Sequence, residues 1–280
     1  MLSFVKKTWI LAYALLFAPL CACNGSSTPP QPIPPPADTV SPSETPVQPT
    51  TDGTWDVSDV DVSQIDPTKK LIAFTFDDAP SGGLEQLVGA FAHYNAENPD
   101  CPAYATLFCN GVYVNEFTLP ALQTAYLLSF ELGNHTHSHK DLTALTTDEL
   151  QREIDLTDAL LERLDGKPFH LLRAPYGKID ERFKRIANAP IFDWYVDTLD
   201  WTGRSAEEIY DSVFSQKSDG AVVLFHDGYE NTVAAVKRLL PDLKGAGYQV
   251  VGVSQMAKAH GLSLKNGGVY TRARKPKSIK

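Results

Sequence analysis

The sequence predicts an α/β fold in which parallel strands are joined by crossover helices within one domain. Two observations carry this. Between residues 66 and 262 short apolar runs alternate with amphipathic stretches about seven times, the pattern of repeated strand–helix units. Side chains suited to acid–base or metal chemistry then follow five of those runs, at the carboxyl ends of the expected strands, which is where a barrel of parallel strands builds its site. A segment of this size is large enough for one substantial core. By periodicity alone a barrel and an open sheet fit equally.

Taken in order, strands are expected at Leu71–Phe76, Tyr104–Cys109, Leu128–Gly133, His170–Arg173, Ile191–Val196, Ala221–Phe225 and Tyr248–Val253. Helices are expected at 84–97, 116–127, 147–164, 179–188, 205–216 and 232–246. The third opens on Thr146-Thr147-Asp148-Glu149, a capping signature, and continues with Leu150, Ile154, Leu160, Leu161 and Leu164 at helical spacing. Inside this segment lie Cys101 and Cys109. A strand between them, rising about 3.3 Å per residue, carries the thiols apart, so two free thiols are expected rather than a disulfide.

The flanks read differently. Residues 1–23 pair Lys6-Lys7 with an uncharged run from Thr8 to Leu20 that is too short for a membrane span, the pattern of an export signal. Leu20-Cys21-Ala22-Cys23 resembles a bacterial lipoprotein signal with Cys23 as the acylated residue; Cys21 fits less well, with bulky Leu20 beside it. An ordinary cleaved secretory signal is the alternative. Residues 24–65 are expected to form a disordered Pro/Thr/Ser-rich stalk, because nine of the chain's 20 prolines fall between Pro29 and Pro49. About 30 such residues reach on the order of 90 Å at about 3.1 Å each. Residues 263–280 are expected to be a basic tail, including Arg272-Ala273-Arg274-Lys275-Pro276-Lys277.

Charge excludes one class of partner. The chain has 25 Lys and Arg against 34 Asp and Glu, and residues 53–264 alone carry a net charge of −14. Phosphate neutralisation requires a basic footprint, so nucleic acid is not expected as a partner.

In His135-Thr136-His137-Ser138-His139 the outer imidazoles are four apart, so one helical turn would place them together and point His137 away. Two His and one carboxylate form a usual catalytic divalent-metal set, although a hydrogen-bonded His-rich cap fits that spacing as well. Asp77-Asp78 tilts the balance towards a metal. Adjacent carboxylates repel unless a cation or an arginine keeps both ionised.

Thr75-Phe76-Asp77-Asp78-Ala79-Pro80, Gly133-Asn134-His135-Thr136-His137-Ser138-His139, Arg173-Ala174-Pro175-Tyr176-Gly177, Asp197-Thr198-Leu199-Asp200-Trp201 and Leu224-Phe225-His226-Asp227 together resemble the five ordered motifs of the polysaccharide deacetylases, the NodB-homology domain of carbohydrate esterase family 4. The resemblance covers about residues 68–258. It implies an irregular (β/α) barrel, commonly of seven parallel strands, as one catalytic domain over 66–262. By the same resemblance Asp77 is the general base with Arg173 as its partner, and Asp78, His135 and His139 are the metal ligands. His226 is the general acid with Asp200 as its charge partner. Tyr176 supplies a backbone N–H towards the oxyanion, and Trp201 with Leu224 walls the acetyl pocket. A core role for Trp201 and Leu224 fits nearly as well.

The expected cofactor is one divalent ion, zinc first, with Co²⁺ or Mn²⁺ as alternatives. The implied reaction is metal-dependent deacetylation of a cell-surface polysaccharide, foremost N-acetylglucosamine-type residues of peptidoglycan, by a monomer held to a bacterial membrane through Cys23 and facing the envelope or exterior. An O-acetyl esterase on xylan or another polysaccharide, and a non-catalytic glycan-binding surface lipoprotein, are the competing readings. The sequence departs from the family pattern at Ser81-Gly82-Gly83, over Asn95 to Pro102 and, most notably, at Ala79, which stands where Gly is usual. A positive φ there would strain the metal carboxylate, and a negative one would make the change harmless.

Overall fold

The structure is a computed structural model and describes residues 53–274. The proposed signal peptide with Cys23, most of the stalk and the last residues of the tail lie outside that range.

The elements run β1 (Lys70–Ala79), α1 (Leu84–Glu97), β2 (Thr106–Cys109), α2 (Leu119–Leu127), β3 (Glu131–Asn134), α3 (Thr147–Asp165), β4 (Leu171–Leu172), α4 (Glu181–Ile186), β5 (Ile191–Phe192), β6 (Val196–Asp197), α5 (Ala206–Gln216), β7 (Ala221–His226), α6 (Glu230–Gly245), β8 (Tyr248–Val251), α7 (Val253–Ala259) and β9 (Val269–Tyr270). All strand pairs among them are parallel, in the order β6-β7-β1-β2-β3-β4-β5-β9, and β8 pairs with the first half of β1. The sheet curls into an irregular (β/α) barrel whose end strands, β6 and β9, are not paired with each other.

Strand alternation sorts the core into two layers. Ile72, Phe74 and Phe76 of β1 and Val223 and Phe225 of β7 pack outwards against Phe91, Val236 and Leu239 of the helices. Leu71 and Ala73 of β1, Phe108, Leu171, Phe192, Val222 and Val251 point inwards and fill the lower barrel, where α7 inserts Val253, Met256 and Ala257. Continuing the inward register upwards reaches Thr75, Asp77, Leu224 and His226, because Thr75 pairs with Leu224 and Asp77 with His226. The rule that seals the base with apolar side chains therefore delivers polar ones to the upper mouth.

Among the described residues, nine strands replace the seven expected. The run Ile191–Val196 is interrupted because Arg173 draws off two of its carbonyls, Nε donating to Phe192 O (2.9 Å) and Nη2 to Asp193 O (3.2 Å). The expected strand at Leu128–Gly133 begins only at Glu131, since the apolar residues before it finish α2 and turn through Ser129 at φ 65°. The domain limits also move outwards. Trp55 and Ile65, assigned to the stalk, pack on the inner core, and Trp55 N donates to Leu264 O. Within the expected tail, Val269 and Tyr270 extend the sheet, Arg272 bridges to Ala221 and Ala273 is buried. The apolar residues interspersed among its basic ones make this possible. Cys101 and Cys109 are free and buried.

Helix α3 has the expected cap: Thr146 accepts from Glu149 N, Glu149 bonds back, and Gly166 ends the helix at φ 74°. Near its end is a buried ion cluster in which His170 Nδ1 lies 2.9 Å from Asp158 and Nε2 3.2 Å from Asp165. Burial opposes the charge, but the two carboxylates outweigh it and raise the His170 pKa to about 9. A histidine titrating higher in the folded than in the unfolded chain stabilises the fold fully below about pH 6.5 and loses that contribution as pH rises through 9. Urea denaturation from pH 6.5 to 10 is expected to show a loss on the order of 3 kcal/mol that His170→Gln lacks; parallel curves for the two proteins would refute this.

Candidate active site

At the upper mouth the five sequence clusters meet. Asp77 and Asp78 end β1, with the positive φ (61°) on Asp78 rather than on Ala79, which is buried in the strand. Ala79 is thus harmless to the backbone. Asp78 accepts from Asn110 Nδ2 (2.8 Å), a contact the sequence reading missed, although Asn110 follows β2 directly.

His135 and His139 lie in the loop after β3, where no helical turn is present. Positive φ values at Thr136 (68°) and His139 (52°) bend the chain so that both imidazoles face Asp78, His139 Nε2 at 3.5 Å and His135 Nε2 at 3.9 Å from Oδ1. His135 Nδ1 is 2.9 Å from Arg173 O, which can only accept, so Nδ1 carries the proton and Nε2 is left as a bare donor atom. Burial holds the His135 pKa below the ordinary histidine value despite Asp77 and Asp78. One ligand atom from each of Asp78, His135 and His139 falls within 4.8 Å of the others. Two imidazoles and one carboxylate suit a divalent ion, and His137 is outside the group.

Arg173 is fully buried and donates through Nη1 to Asp77 Oδ1 (2.7 Å) and to Thr75 Oγ1 (2.8 Å), with its guanidinium 4.0 Å above the Phe108 ring. Burial alone would raise the Asp77 pKa; the Arg173 guanidinium more than offsets it and holds Asp77 below the usual carboxylate range. Asp77 Oδ2 is 3.5 Å from His135 Nε2, directly beside the ligand triad.

Across the ladder, His226 Nδ1 is 2.7 Å from Asp200 Oδ1. Asp200 is buried and also accepts from His226 N (2.8 Å) and Thr232 Oγ1 (2.6 Å), the latter unforeseen because α6 supplies it. Burial disfavours the imidazolium, but the Asp200 hydrogen bond and nearby carboxylates outweigh it and raise the His226 pKa. Asp227, part of the fifth motif but given no role there, accepts from Ser81 N (2.9 Å) and is pushed up to about 7 by burial.

Trp201 is 55% exposed, which removes its core reading, whereas Leu224 is 4% exposed on the inward face below His226. Tyr176, at φ 61° and 62% exposed, sets its ring 4.7 Å from that of His139.

The mouth of this parallel barrel thus carries an Asp-His-His triad able to hold a metal ion, a buried carboxylate–arginine pair and an imidazole–carboxylate pair. Residues 64–190 match the polysaccharide deacetylase family model. The peptidoglycan-N-acetylmuramic acid deacetylase PdaC of Bacillus subtilis is 33% identical over 69% of this chain and 40% of its own length. A peptidoglycan-N-acetylglucosamine deacetylase of Bacillus cereus is 31% identical over 76% of this chain and 96% of its own. The solved PdaC structure superposes with a TM-score of 0.64 at 32% identity, covering 70% of this chain and 93% of that one. The chain belongs to the polysaccharide deacetylase family, and spans about 40% of the length of its PdaC relative.

Proposed function

We propose that this protein removes acetyl groups from a cell-surface polysaccharide, with N-acetylglucosamine-type residues of peptidoglycan as substrate. The observation that carries the reading is the placement of an ionised carboxylate, Asp77, and an imidazole biased towards its charged form, His226, on paired strand positions beside one ligand triad. Asp78, His135 and His139 would hold the metal, zinc foremost, and when bound it supplies Lewis-acid polarisation of the acetyl carbonyl and of the attacking water.

Asp77 takes the proton from that water, a task it can perform because Arg173 keeps it ionised. The Tyr176 N–H faces the developing oxyanion, while Leu224 and Trp201 bound the acetyl methyl. His226 then donates its Nε2 proton to the leaving nitrogen, since an amine anion is too poor a leaving group, and Asp200 keeps that proton available.

Purified protein offered peptidoglycan, chitin oligomers and acetylxylan is expected to release acetate from the amide substrates and to stop when a chelator strips the metal. Release from acetylxylan alone would replace the reading by the ester one; release indifferent to chelator, from protein without metal, would overturn it. His226→Ala is expected to impair amide substrates more than ester ones, because an alkoxide leaves more readily than an amine. Equal losses on both would remove His226 from the acid role.

The chain is further proposed to be exported and acylated at Cys23, with its Pro-rich segment spacing the domain from the membrane. The support is the order of basic, uncharged and Cys-containing segments and the need for dual acylation to give stable attachment. Among the described residues no helix is long and apolar enough to cross a membrane. Cys23→Ser is expected to release the protein from membranes or leave it unprocessed; an unchanged membrane fraction would exclude this anchor.

A further inference from the structure

Helix α3 carries two acidic residues, Glu153 and Asp158, that its amphipathic pattern places among the core positions Leu150, Ile154 and Leu161, and both are buried. Glu153 reaches the loop that bears the two metal-facing histidines directly, and Asp158 reaches it through Asn134 at the end of β3. Glu153 accepts from Ser138 N (2.7 Å) through Oε2 and from Ser138 Oγ (2.6 Å) through Oε1. Asp158 Oδ1 accepts from Asn134 Nδ2 (2.8 Å), and the same Asn134 side chain turns its Oδ1 to accept from Thr136 N (2.8 Å). The loop is thus tied at Thr136 and Ser138, the positions that flank His137 between the two histidines.

The loop needs these ties. Thr136 and His139 both occupy the left-handed region, which is strained for a non-glycine residue and persists only when the surroundings over-determine it. On its other side the loop presses against Gly111, where a Cβ would come within 2.4 Å of His137 Nδ1 and 2.7 Å of Thr157 Oγ1 of α3. Gly111 N and Val112 N donate to Thr136 O and His137 O. The loop is therefore clamped between the end of β2 and α3, and the α3 side of the clamp includes the two carboxylates together with Ile154 O, which also accepts from Asn134 Nδ2 (3.0 Å).

We propose that Glu153 and Asp158 are positioning residues for the metal centre, holding His135 and His139 in the strained geometry that turns both rings towards Asp78. This rests on the metal reading of the triad, and it assigns to α3 a task that neither carboxylate performs by touching the ion. Outer partners of metal ligands are typically worth 10- to 100-fold in metal affinity.

The test is zinc affinity of the full chain, measured by competition with a chromophoric chelator and so independent of turnover. Glu153→Ala and Asp158→Ala are each expected to weaken zinc binding by about 10- to 100-fold. Glu153→Gln, whose amide oxygen still accepts from Ser138 N, is expected to recover most of the loss. Ser138→Ala breaks one of the same contacts from the loop side, so it serves where an α3 variant does not fold, and a weaker affinity is expected there too. Parent-like affinity in the alanine variants would overturn the proposal, as would a Gln variant as weak as Ala, because the negative charge and not the positioning would then be responsible. Absence of zinc binding in the unaltered chain would instead sink the metal reading itself.

Discussion

Asp77→Asn is expected to lower deacetylation by about 10²- to 10⁴-fold while zinc binding is retained, the usual worth of general-base help. The amide keeps the shape of the carboxylate and can still accept from Arg173 Nη1, but it cannot take a proton from water. Because Asp77 and Arg173 are both buried, the change also leaves the guanidinium without its counter-charge, so a lower unfolding midpoint is expected alongside the rate loss. Steady-state acetate release and zinc content of the same preparation check it. Zinc lost with the carboxylate would exchange the roles of Asp77 and Asp78, and near-normal turnover would remove the base from this position.

Arg173→Leu is expected to be the most destabilising single change in the site, at about 3–5 kcal/mol, the range for removing one partner of a buried ion pair. The guanidinium satisfies Asp77, Thr75 Oγ1 and the carbonyls of Phe192 and Asp193, and it fills space over Phe108. Its loss strands a buried carboxylate and frees the carbonyls that define the break between β5 and β6. Urea denaturation measures the effect. The pair Asp77→Asn with Arg173→Leu should cost less than the sum of the two single changes, since neither charge is then left unpaired. Strict additivity, or a single-variant cost below about 1 kcal/mol, would show that the two side chains do not act as a unit.

The fold and much of the site were legible because both follow local patterns. The first helix matches its expected bounds, Leu84–Glu97, and α3 begins at the expected capping box, since the spacing of apolar residues and a cap are properties of neighbouring positions. The polar clusters were legible because parallel strands deliver whatever follows them to one end of the barrel. Local pattern failed at residues 191–196, where the strand is cut by an arginine 18 or more positions upstream, and at 253–259, where the apolar run after β8 forms the helix that plugs the base. It failed again at 269–273, whose basic composition hid two strand residues and a buried alanine.

By itself, then, the sequence determined the parallel α/β class, the polar clusters that follow five of the strands and the end of the barrel on which they meet, because alternation, capping and strand ends are short-range. Only the tertiary structure decided that His135 and His139 converge through a strained loop without a helical turn, that Asn110 and Thr232 brace the two key carboxylates, and that Glu153 and Asp158 face the loop when helical spacing alone would place them in an apolar core. Each of these depends on contacts between residues far apart in the chain. Such contacts exist only once the strands have curled and the helices have packed around them.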